Sequence, residues 1–96
     1  MREDLSVPQQ TVQACHAAIS AADLYLGRPI DNLVVCGVEN ELELHRARDR
    51  LEELGIKHRT FVEPDIGSQL TALATEPIHG TLRKVFRKYK LLRGDL

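Results

Sequence analysis

Between two stretches with helical spacing stands one short apolar run with three β-branched valines, Asn32-Leu33-Val34-Val35-Cys36-Gly37-Val38. A run this short, without polar alternation, reads as a strand buried on both faces. Such strands belong to parallel or mixed sheets covered by helices. The run therefore points to a layered α/β domain.

The flanking segments fit that class. A first helix is expected from about Val7 to Leu26. Ser6 and Gln9 have the spacing of a capping box, and Pro8 is tolerated in a first turn. Val12, Cys15, Ile19, Ala22 and Leu26 repeat at helical spacing and are expected to face the core. Gly27 ends the helix, and Arg28-Pro29 prevents its continuation. A second helix is expected from about Glu41 to Leu54, capped by Asn40 and Glu43, with Leu44, Ala47, Leu51 and Leu54 as its apolar stripe. Ile56 to Val62 reads as a strand, and Glu63 to Gly67 as a turn. Gln69 to Thr75 reads as a further strand, stopped by Pro77. A last helix is expected from Ile78–Thr81 to about Leu91, with Leu82, Val85, Phe86 and Tyr89 buried.

The expected order is α-β-α-β-β-α in one domain spanning residues 1–96, a three-layer α/β/α arrangement on a small mixed sheet. Three strands make a narrow sheet for two or three covering helices. A further strand is expected before residue 5, where the chain gives almost no room, so the first strand looks truncated.

Composition narrows the setting. The chain has 96 residues, 43% hydrophobic and 28% charged, as in ordinary globular domains. Cys15 and Cys36 lie in apolar segments without metal-ligand spacing, so neither a disulfide framework, a zinc site nor a cofactor is expected. Cys15 is assigned to core packing. A reducing, cytoplasmic location and no membrane association are expected. The net charge of −1 hides an asymmetry: residues 1–81 hold seven Lys/Arg against thirteen Asp/Glu, and residues 82–96 hold six Lys/Arg against Asp95. The basic end, including Arg83, Lys84, Arg87 and Lys88, suits either a polyanion such as RNA or a plain solvated face.

Two clusters can carry chemistry. Gln9, Gln13, His16 and Ser20 fall at spacings of four, three and four, and so share one helix face. They read either as a site wall of amides and an imidazole or as an exposed polar face. The turn Glu63-Pro64-Asp65-Ile66-Gly67 follows a strand, at the end where ligands of α/β sheets often bind. Its two carboxylates can serve a base or water-orienting role, or can be turn chemistry alone. Thr71 and Thr75, four apart, are expected on one face of the next strand.

In their order these segments resemble type II peptidyl-tRNA hydrolases. The likeness rests on Arg2-Glu3-Asp4-Leu5, then Gln13-Ala14-Cys15-His16-Ala17, the buried run to Val38, and the second helix ending Leu54-Gly55. It continues through the acid after the third strand, Thr71-Ala72-Leu73-Ala74, and Lys88-Tyr89-Lys90-Leu91-Leu92. The resemblance implies a four-stranded mixed sheet between helices, and hydrolysis of the ester joining a peptide to tRNA. It implies catalytic roles for His16, Glu63, Asp65 and Thr71. Gln9, Gln13, Arg83, Lys84, Arg87 and Lys88 would bind substrate.

Two departures stand out. Gln9 occupies the place of a lysine at the head of the family's helix, in a shorter loop. A glutamine keeps hydrogen bonding but lacks the cation that would hold phosphate or an oxyanion. The strand that precedes Arg-x-Asp-Leu in the family has no counterpart before Arg2. That implies either a start assigned too late or a sheet completed otherwise, for instance by a partner chain in a homodimer, since exposed edges favour association. Two readings follow. One is a peptidyl-tRNA esterase with altered site residues. The other is a non-catalytic relative that binds RNA or protein on the same fold.

Overall fold

The computed structural model describes residues 1–25, 27, 34–78 and 80–91. Expectations for Leu26, Arg28-Pro29, Asn32-Leu33 and Leu92 lie outside these residues. Among the described residues the chain is a mixed α/β structure with two α-helices and small antiparallel ladders.

Helix α1 covers Val7–Ser20. The capping box forms as expected: Ser6 Oγ accepts from the Gln9 N–H at 3.3 Å, and Gln9 Oε1 accepts from the Ser6 N–H at 3.1 Å. Ser6→Ala is expected to cost about 1 kcal/mol. In a thermal melt followed by circular dichroism that is a fall of roughly 4–8 °C; an unmoved midpoint would show that the box adds nothing. The helix gives way after Ser20 to a short 3₁₀ turn, Ala22–Leu24.

The buried face of α1 is not the expected one. Val12 is 50% exposed and Ile19 75%, and Cys15 is exposed as well. Gln13, Ala17 and Ala21 are buried instead. Ala17 joins Met1 and Ala72 in a cluster, with Leu5, Ala14, Val35 and Ala74 packed around it. Helix and sheet meet here through small residues, so their backbones approach closely. The bulkier Val12 and Ile19 would hold them apart, and the one polar residue turned inward, Gln13, finds hydrogen-bond partners there.

Strand β1 is only Cys36–Gly37. Val34 is 60% exposed, so the expected strand buried on both faces is not seen over the described part of that run. The Met1–Glu3 segment lies alongside. Val38 N–H donates to the Met1 carbonyl at 2.8 Å and Glu3 N–H to the Val38 carbonyl at 2.7 Å, a single parallel bridge between Arg2 and Val38. A Cβ at Gly37 would stand 2.3 Å from Glu3 Oε1, so the exposed Glu3 side chain would have to swing aside.

Helix α2, Glu41–Glu53, is capped by Asn40, whose side chain accepts from the Glu43 N–H at 3.0 Å. Leu44, Ala47 and Leu51 are buried as the spacing predicts, while Leu54 at the end is partly exposed. Strands β2, His58–Glu63, and β3, Gln69–Thr75, form an antiparallel hairpin on which both helices pack. Its register shifts between Phe61 and Val62: Phe61 faces Ala72 but Val62 faces Leu70, leaving Thr71 as an extra residue. This bulge lets Thr71 and Ala72 both reach α1, Thr71 through Gln13 and Ala72 through Ala17.

The last helix departs most from expectation. Gly80–Phe86 is a 3₁₀ helix, and the chain then turns into a short strand β4, Lys90–Leu91, antiparallel to β1. Arg83 with Arg87 and Lys84 with Lys88 would be like charges one α-helical turn apart, which destabilises an α-helix. Leu82 is 45% exposed, while Val85, Phe86 and Tyr89 are half-buried. The expected single sheet is therefore, among the described residues, two separate two-stranded antiparallel ladders, β1–β4 and β2–β3. A side chain spans them: Arg2 Nη1 donates to Gln69 Oε1 at 2.8 Å and to the Leu70 carbonyl at 3.2 Å.

Candidate functional site

Glu63 is the last residue of β2, and its position is set from both sides. Pro64 opens a 3₁₀ turn, Pro64–Ile66, whose entry Glu63 caps by accepting from the Asp65 N–H at 3.2 Å. Gly67 and Ser68 then take left-handed backbone angles, φ +77° and +58°, which turn the chain into β3. From α1, Gln13 Nε2 donates to the other Glu63 oxygen at 3.0 Å. Gln13 Oε1 in turn accepts from the Thr71 hydroxyl at 2.8 Å. The result is a relay, Thr71 to Gln13 to Glu63, joining β3, α1 and the end of β2.

Electrostatics follow from this geometry. The Gln13 amide donating to it holds the Glu63 carboxyl below the usual carboxylate range, aided by the Asp65 N–H and, further down, by the nearby His16. Hydrogen bonds to the charged form favour it, so Glu63 is ionised at neutral pH. An ionised carboxylate at the rim of a cleft can orient water or take its proton.

The cleft beside it holds about 180 Å³ and is lined by Leu5, Gln9, Gln13, Glu63, Asp65 and Ile66. The fold thus brings Gln9 and Gln13 of the helix seam together with Glu63 and Asp65 of the acidic turn. Gln9 is committed at its carbonyl end, because Oε1 also accepts from the Ser6 hydroxyl at 3.1 Å. Thr71 has no exposed surface, so its hydroxyl acts on Gln13 and the Phe61 carbonyl rather than on a ligand. That makes it a positioning residue where a catalytic one was expected. Thr75 turns its hydroxyl to the Glu76 carbonyl.

His16 does not join the relay. Its ring lies flat against Phe61, centroids 4.4 Å apart and planes 10° apart, while the residue is exposed. Phe61, Leu5 and Ile66 were missed by the sequence reading. For Phe61 a signal existed: it precedes Glu63 by two on a strand, while His16 follows Gln13 by three on a helix, so the two pairs match rung by rung.

The basic residues collect elsewhere. Arg83, Lys84 and Arg87 line, with Gly80, an open concavity of about 400 Å³ on the 3₁₀ helix. Lys88 lies outside that lining, its ammonium 5.3 Å from the centre of the Tyr89 ring. Among the described residues no group of three or more His, Cys, Asp or Glu side chains is arranged to hold a metal ion, and no helix is long and apolar enough to cross a membrane. In comparisons with known proteins, no family model, curated protein or solved structure matches this chain.

Proposed function

We propose that this chain is a hydrolase of the type II peptidyl-tRNA hydrolase kind, cleaving the ester between a peptide and the terminal ribose of tRNA. The supporting observation is the Thr71–Gln13–Glu63 relay, which presents an ionised carboxylate at an open cleft. In this reading the family's α/β/α arrangement corresponds to α1 and α2 on the β2–β3 hairpin.

The chemistry needs only water and the ester. Glu63 holds a water and takes its proton as the water oxygen bonds to the ester carbonyl carbon. The tetrahedral intermediate then collapses, the bond to the ribose oxygen breaks, and the proton passes to that oxygen. Gln9 offers its Nε2 amide to the carbonyl oxygen as negative charge grows there, its own carbonyl being held by Ser6. Asp65 lines the same cleft and keeps a second carboxylate near the water. The cations at Arg83, Lys84 and Arg87 meet the phosphate backbone as sequence-independent contacts, with Lys88 beside them.

A second reading, a relative that binds tRNA without cleaving it, is favoured by one observation. Gln9, in place of a cation, is partly spent on capping α1. One assay separates the two. Purified chain is incubated with peptidyl-tRNA beside an active control, and free tRNA and released peptide are followed. Cleavage supports the hydrolase. An intact ester, with salt-dependent tRNA binding that weakens when Arg83, Lys84 and Arg87 are reversed to Glu, overturns it in favour of the binder.

A further inference from the structure

The cleft explains Glu63, Gln13, Gln9 and Asp65 but not why the His16 ring is stacked on Phe61. Two exposed or half-exposed rings held nearly parallel are a costly use of surface on a helix otherwise rich in alanine. His16 makes no hydrogen bond among the described residues, and one face of its ring is taken by Phe61. The residue is nevertheless exposed to solvent. Phe61 is itself fixed, half-buried in β2 opposite Ala72 at the bulge. The imidazole therefore rests on a rigid support with its plane set in advance.

The platform's position is as informative as its shape. Gln13 and His16 are neighbours on one face of α1, and Phe61 and Glu63 are neighbours on one face of β2. Gln13 meets Glu63, and His16 meets Phe61. The stack thus lies one rung from the carboxylate, about 7 Å along the strand. That is close to the separation between the ester on a nucleotide's ribose and the same nucleotide's base. A planar, sequence-tolerant aromatic surface is how proteins hold an unpaired base by its π-face.

Resting on the proposed action on a tRNA ester, we infer that His16, backed by Phe61, is a stacking platform for the base of the substrate's 3′-terminal nucleotide. His16 then touches the substrate's base, and Phe61 is a positioning residue acting through it. The stack aligns the ribose ester over Glu63 without any hydrogen bond from the imidazole.

The test uses the full chain and adenosine 5′-monophosphate as probe, with ribose 5-phosphate as the control that lacks a base. Proton NMR should show the His16 ring C–H resonances moving upfield on titration with the nucleotide and staying in place with the sugar phosphate. His16→Ala, an exposed change compatible with the helix, should weaken nucleotide binding roughly tenfold. His16→Phe, which keeps the flat face and removes both nitrogens, should hold affinity within about threefold. Phe61→Leu should weaken binding and Phe61→Tyr should not. Equal responses to nucleotide and sugar phosphate, or His16→Phe failing as badly as His16→Ala, would overturn the platform. The two proposals separate cleanly: stacking with an intact ester removes the hydrolase and keeps the platform, whereas cleavage without stacking does the reverse.

Discussion

Glu63→Gln is expected to lower the rate of peptidyl-tRNA cleavage by about 10²–10⁴-fold, the usual worth of a positioned general base. The substitution is nearly isosteric. Its amide oxygen can still accept from Gln13 Nε2, which now donates to Glu63 at 3.0 Å, so the tie to α1 should remain, while the Asp65 N–H loses its acceptor. What disappears is the negative charge that takes the proton from water. Circular dichroism should therefore match the parent, with a fall in melting midpoint no larger than the roughly 4–8 °C of one lost hydrogen bond, while turnover collapses. A variant that cleaves the ester within roughly threefold of the parent would remove Glu63 from the chemistry.

The pH profile gives an independent check with a definite sign. Glu63 is held below the ordinary carboxylate value of 4.5, first by Gln13 and then by the Asp65 N–H. In the proposed hydrolase the active form is the carboxylate, so on Glu63's account the acid limb lies at lower pH than an ordinary carboxylate would give. Gln13→Leu removes the largest stabiliser of the charged form, so the acid limb should move to higher pH. Glu63→Gln should have no such limb in its residual rate.

Parts of this site are legible in the linear sequence because local rules govern them. The capping box of Ser6 and Gln9, the stripe of α2 and the turn after Glu63 each depend on residues within one or two helical turns. The pairing of Gln13 with Glu63 is less local, but its components are visible as a polar seam on a helix and an acid at a strand end. Which face of α1 is buried was not legible. Hydrophobicity favours Val12, Cys15 and Ile19, whereas the fold buries Gln13, Ala17 and Ala21. The decision is made by the bulge at Thr71, which brings a hydroxyl up to Gln13 and an alanine up to Ala17. A bulge leaves no periodic trace. The basic 3₁₀ helix was misread for a related reason: its apolar spacing suits an α-helix, but the like charges at i, i+4 oppose one.

The largest stability effect should come from Arg2→Ala, a change far from any proposed chemistry. Arg2 is only 6% exposed, an unusual place for a guanidinium. Four hydrogen bonds satisfy it: two to the Asp4 carboxylate, at 2.9 and 2.6 Å, one to Gln69 and one to the Leu70 carbonyl. Removing the side chain strands these acceptors and cuts the tie between the Met1–Glu3 segment and β3. Losing one partner of a fully buried pair costs about 3–5 kcal/mol. Asp4 is more than a third exposed and regains water, so about 2–3 kcal/mol is the better figure here. For a chain of this length that is a fall in midpoint of roughly 10–20 °C. Arg2→Lys should recover only part of it, since an ammonium cannot grip Asp4 with two parallel bonds and reach Gln69 as well. The pH dependence follows from Asp4. The Arg2 hydrogen bond holds the Asp4 carboxyl below its ordinary 3.8, so this stabilisation is present above the unfolded value and is lost as pH falls through the folded one. The gap between the melting curves of the parent and Arg2→Ala should therefore narrow in strong acid, leaving the part carried by Gln69 and the Leu70 carbonyl. Parallel curves down to that range would show that Asp4 contributes nothing and that the guanidinium is held by β3 alone.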